Sequence, residues 1–139
     1  MPNPVLNISI LDGILSFNRR IPMIPSVNSA ISALQAYKSK LRVTANNIAN
    51  VNTDEFKKSR ATLREGNSGG VEVNVHRVNT PGLPYKEFEG DQLTEKESSN
   101  VILEEEIPQM MVTQRTYEAN LKVLQTQNEM LGSVLAIMG

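Results

Sequence analysis

Eleven positions in the last third of the chain recur at alternating spacings of four and three without a slip: Leu103, Ile107, Met110, Gln114, Tyr117, Leu121, Leu124, Asn128, Leu131, Leu135 and Met138. A stripe of that period lies along one side of a long α-helix and reads as a coiled-coil seam. About 37 residues at ~1.5 Å each span roughly 55 Å. A helix this long cannot cover its own stripe, so it must pack on another helix of the chain, on other subunits, or on both. Gln114 and Asn128 interrupt the stripe, and polar seam residues commonly fix register at a cost in stability. Pro108 lies inside the pattern and removes a backbone donor, which predicts a kink or a late helix start.

A second such stripe lies earlier. Val27, Ile31, Leu34, Leu41, Ala45 and Ile48 follow the same spacing, with Lys38 as its polar member. Ser26 or Asn28, after Pro25, is placed to cap the start. The pattern predicts an amphipathic helix of about 24 residues, roughly 36 Å long. It runs into Asn46, Asn47, Asn50 and Asn52. Asparagine competes for backbone groups inside helices and suits their ends and turns. Asn46 and Asn50 share a face, and Asn47 points elsewhere. A helix C-cap followed by a turn accounts for each asparagine singly.

The 139 residues suit one domain, or one small core with extensions. Three Phe, three Tyr and no Trp favour an elongated chain with narrow aliphatic seams over a compact globule. The absence of cysteine excludes disulfides and thiolate metal sites. The net charge of -1 hides a segregation: 26–60 carries +4, while 61–100 and 101–139 each carry -3. The basic early part and the acidic later part can attract each other within or between chains. The basic excess is too small and too poor in aromatics for nucleic acid.

Between the stripes, "VEVNVHRV" alternates, with Val71, Val73 and Val75 on one face, and predicts a half-buried strand between turn signals. "YKEFEGDQLTEKESS" reads as an extended arm with one more short strand, anchored by Tyr85, Phe88 and Leu93. At the other end, "VLNISILDGILSF" holds Asp12, and its arginines follow the apolar run, so it is a poor secretory signal and too short to span a membrane. Met23 reads as an alternative start that makes 1–22 a peripheral extension. The predicted organisation is an N-terminal extension over 1–25, disordered or with a misassigned start; a helix and asparagine-rich turn over 26–60; a β or extended middle over 61–100; and the long helix over 101–139.

Chemistry is sparse. His76 lies on the polar face of a strand with Glu72, an exposed position and not that of a ligand or base. Glu104, Glu105 and Glu106 diverge by ~100° each on a helix, so they do not converge on a metal and instead complement the helix's positive end. "NSGG" at 67–70 lacks the Lys-Ser/Thr of a phosphate loop. No nucleophile with an evident base is present. No catalytic, cofactor or metal residue is assigned, and an enzyme is the least favoured class.

"SALQAYKSKLRVTANNIANVNTDEFKK" and "SNVILEEEIPQMMVTQRTYEANLKVLQTQNEMLGSVL" together resemble the two terminal signatures of flagellar basal-body rod proteins. The first is centred on ANNIANVNT at 45–53. The second matches at Ser99, Asn100, Val101, Glu105, Glu106, Gln114, Arg115, Tyr117, Glu118, Ala119, Asn120, Met130 and Leu131. The nearest type is a short, FlgC-like proximal rod protein. The resemblance implies a mainly α fold, with the long terminal helices pairing as an antiparallel coiled coil around a small β-containing middle. It implies self-assembly and assembly with other rod subunits into the drive shaft that crosses the periplasm. Export would proceed through the flagellar type III apparatus without a cleaved signal. Neither nucleic acid nor direct membrane insertion is implied, and no cofactor.

In that setting the asparagine cluster would meet backbone groups of neighbouring subunits. The assembly and packing residues would be Leu34, Leu41, Ile48, Asn46, Asn47, Asn50, Asn52, Gln114, Tyr117, Asn120, Leu121, Leu124, Asn128, Leu131 and Leu135. The family often has Gly near position 55, where this chain has Glu. The other reading from the residues is a cytoplasmic coiled-coil adaptor, akin to an export chaperone, that binds one partner helix.

Overall fold

A computed structural model describes residues 23–66 and 69–139. The readings made for 1–22 lie outside the described residues. Helix α1 spans Met23–Ala49, strands β1 to β4 span Ser59–Glu65, Val71–Arg77, Pro84–Glu89 and Gln92–Glu97, and helix α2 spans Leu103–Met138. β1 pairs antiparallel with β2, Ser59 opposite Arg77 and Glu65 opposite Val71. β3 pairs antiparallel with β4 across the two-residue turn at Gly90 and Asp91. Gly90 takes φ +68°, and Gly at the first turn position gives the twist a two-residue hairpin needs.

The helices at both ends match the two stripes, but their predicted antiparallel coiled coil is corrected by the structure, as is a mainly α fold with a minor middle. Two helices flank a middle of two small antiparallel sheets. The helices do run side by side in opposite directions, since Asn47 near the end of α1 bonds to Glu106 near the start of α2. They do not interlock large apolar side chains. Among the described residues, those buried on α1 are Ala30, Ala33, Ala36, Thr44 and Asn47, and those buried on α2 are Glu106 and Thr113. Leu34, Leu41 and Ile48 are half-buried, and Ile31 is exposed.

The physical reason is that α1 has two neighbours. It packs on α2 and also on β1 and β2. Small side chains on α1 permit the close approach this requires, because interaxial distance follows the size of the contact residues. The large aliphatic residues are displaced to the margins.

Local sequence explains how the middle is fixed. Gly69 and Gly70 take φ of +79° and +87° between β1 and β2. A Cβ on Gly70 would lie 2.4 Å from Ser32 Oγ. That hydroxyl accepts the Val71 N–H at 3.0 Å and donates to the Ser29 carbonyl at 2.8 Å, so the first hairpin is tied directly to α1. Most of the predicted arm at 85–99 lies in a regular hairpin, Pro84–Glu89 with Gln92–Glu97. Its strands are exposed along most of their length, so no apolar alternation marked them. Helix α2 begins five residues ahead of Pro108 and therefore takes no late start. No helix among the described residues is long and apolar enough to cross a membrane.

Candidate functional site

Where the two sequence signatures meet, a strap of backbone from Phe56 to Ser59 is held between two asparagines. Asn47, 1% exposed, sits on the last turns of α1 and faces inward. Its Oδ1 accepts the Ser59 N–H at 2.9 Å, and its Nδ2 donates to the Ser59 carbonyl at 2.8 Å and to Glu106 Oε2 at 3.2 Å. An amide side chain can satisfy a backbone donor and acceptor together, as a neighbouring strand would. Asn100, just ahead of α2, repeats the device. Its Oδ1 accepts the Lys58 N–H at 2.6 Å, and its Nδ2 donates to the Val78 and Thr80 carbonyls at 2.9 and 2.8 Å. Its own N–H donates to the Phe56 carbonyl at 3.2 Å.

Charge closes the junction. The buried Lys58 places Nζ 3.1 Å from Glu105, which Arg60 also approaches at 3.2 Å. Lys57 and the Gly82 N–H both donate to Glu97. Gly82 is required there, because a Cβ would lie 2.0 Å from the Ser98 carbonyl oxygen. Glu55 stands at φ +58°, the left-handed conformation that Gly takes cheaply and other residues at about 1–2 kcal/mol. Its N–H donates to the Glu97 carbonyl at 2.8 Å, a bond that offsets part of that cost.

The hydrogen bond from Lys58 holds the Glu105 carboxyl below the usual carboxylate range, and that from Lys57 does the same for Glu97. Both groups favour the folded state while ionised. Their stabilisation is complete above the ordinary value of 4.5 and is lost as pH falls through the lowered folded values. Urea unfolding between neutral pH and pH about 3 should therefore show stability falling below pH ~4.5. Lys57→Met with Lys58→Met should flatten that limb. An equally steep limb in the double variant would remove these pairs as its cause.

The remaining sequence-predicted residues are spread out. Asn46 and Asn52 are exposed. Asn50 serves its own helix end, with Nδ2 donating to the Asn46 carbonyl at 2.8 Å and Oδ1 accepting from Thr53 at 3.2 Å. Gln114 is exposed and donates to Glu118 at 3.2 Å. Asn120 is half-buried and bonds back to the Thr116 carbonyl at 2.8 Å. Tyr117, Leu124 and Leu131 are half-buried, while Leu121, Asn128 and Leu135 are exposed. The structure thus brings Asn47 to the junction and leaves the α2 set along one long helix. Asn100, Lys58 and Glu106 were missing from the predicted set. The signal that pointed to them was position, since Asn100 and Glu106 belong to the second signature and Lys58 closes the first. The three glutamates take different partners: Glu105 the cations, Glu106 Asn47, and Glu104 solvent.

The arrangement makes the two end segments of the chain interdependent and leaves much of α2 uncovered. Comparison with known proteins gives the family. Residues 28–57 match the model described as "Flagella basal body rod protein", and residues 96–137 match "Flagellar basal body rod FlgEFG protein C-terminal". The chain belongs to the flagellar basal-body rod protein family. It is also 51% identical over 43 residues to the flagellar basal-body rod protein FlgG of Bacillus subtilis (strain 168), a match covering 31% of this chain and 16% of that protein. Asn47 falls in the first matched segment, and Asn100, Glu105 and Glu106 fall in the second.

Proposed function

We propose that this chain is a structural subunit of the flagellar basal-body rod, assembling with its own copies and with other rod subunits into the axial shaft. The observation that carries the reading is the coupling of both family segments in one buried junction while the far half of α2 stays open. Leu135 is 68% and Ile137 86% exposed, and Met130, Val134 and Met138 are exposed beside them. An apolar surface of that length is unfavourable in water and is relieved by packing against neighbours. Membership of the rod family supports neighbours of this kind in the rod. Delivery through the flagellar type III apparatus into the periplasm belongs to the same proposal, as does a purely structural, non-enzymatic role.

Fractionation of a flagellated host expressing the tagged chain tests it. The expected result is co-purification with detergent-extracted basal bodies. A chain confined to the cytoplasm as a discrete complex with one partner would overturn the rod reading in favour of the adaptor.

A further inference from the structure

The β3–β4 hairpin packs on no other helix or strand of the described chain. Phe88 and Leu93 stand opposite each other in its register and are 73% and 52% exposed. Its lysines are taken within the hairpin, Lys86 by Glu95 and Lys96 by Glu87, and Glu97 is taken by Lys57. Glu89 and Asp91, flanking Gly90 at the tip, have no ion-pair partner among the described residues.

The opposite pattern exists on α1. That helix holds Lys38, Lys40 and Arg42 and no acidic residue, and none of the three cations is ion-paired among the described residues. Arg42 lines an open groove of about 690 Å³ whose walls include Val43, Val73 and Val75. Lys38 lies one turn before Arg42, on the same side of the helix. No residue of the hairpin lines this groove in its own chain.

An apolar pair beside two free carboxylates thus faces outward on one side of the molecule, and an apolar groove beside two free cations opens elsewhere. We infer that the hairpin of one copy seats Phe88 and Leu93 in the Val43, Val73 and Val75 groove of a second copy, with Glu89 and Asp91 against Lys38 and Arg42. Hairpin and groove are different surfaces, so the contact is head-to-tail and propagates along a row of copies instead of closing on itself. Complementary charge sets the orientation of such a contact, and like charges there oppose it. The inference rests on the rod reading and adds which surfaces of neighbouring copies meet.

The test uses the full chain in a flagellated host. Lys38→Glu with Arg42→Glu, and Glu89→Lys with Asp91→Lys, should each lower incorporation into basal bodies at least about tenfold. All four changes together should restore it. Because the chain has no native cysteine, Val75→Cys with Leu93→Cys should cross-link into a ladder of multimers. The inference is overturned if the quadruple variant is no better than the separate reversals, if the reversals have no effect, or if the cysteines join only within one chain. In each of these cases a wild-type chain still found in basal bodies keeps the rod reading. A wild-type chain absent from basal bodies ends both.

Discussion

Asn47→Asp should lower the stability of the folded chain by about 3–5 kcal/mol, the range for leaving a buried charge without compensation. The substitution keeps the size of the side chain. It replaces the Nδ2 donor with an oxygen that faces the Ser59 carbonyl and the Glu106 carboxylate, both of which accept. A buried donor–acceptor pair becomes two acceptors in contact, beside a second carboxylate. With a denaturant slope of about 1–3 kcal/mol per molar urea, the midpoint should fall by roughly 1–5 M. Asn46→Asp is the matched control. Its side chain is exposed, and the midpoint should stay nearly unchanged. Equal midpoints for the two variants would show that the junction does not hold the ends of the chain together.

Leu135→Asp combined with Ile137→Asp should abolish incorporation into basal bodies and leave the isolated fold intact. Both side chains are exposed in the single chain, so water already solvates the new carboxylates there. Once a neighbour covers this part of α2, each carboxylate is buried without a partner, at a cost of several kcal/mol that recurs in every subunit. Lys122→Ala, on an exposed position of the same helix, should be nearly neutral. Urea midpoint and far-UV circular dichroism report the fold, and basal-body fractionation with motility reports assembly. A motile strain whose only copy carries both aspartates would refute a packing role for this end of α2.

Both helices could be read from the sequence because helical period depends only on spacing, and the spacing of Leu103 to Met138 is unbroken. How they pack could not. Large aliphatics form the visible stripe, yet the buried positions are small, Ala30, Ala33 and Ala36 on α1 and Thr113 on α2. Small residues carry almost no periodic signal, so the coiled-coil inference followed the wrong side chains. Strand β2 was legible from its alternating valines, but β1 offers only Ala61 and Leu63 as apolar positions and was not read as a strand. For the site, the asparagine cluster marked a specified helix end. It could not show that Asn47 alone turns inward, because that depends on a strap 12 residues on and a carboxylate 59 residues on.

That separation has a temporal meaning. Any process that delivers the chain from its amino end, synthesis included, releases α1 long before α2. At roughly 5–20 residues per second, the 59 residues from Asn47 to Glu106 take on the order of 3–12 s to emerge. Helix–coil relaxation takes about a microsecond or less, so α1 can form and melt many times in that interval. It meets Ser59 after 12 residues, but finds neither Glu106 nor the Asn100 clasp until the second signature is out. The junction therefore works as a late latch: a chain cut short ahead of Asn100 should never set, and one in transit stays pliable until its last third arrives.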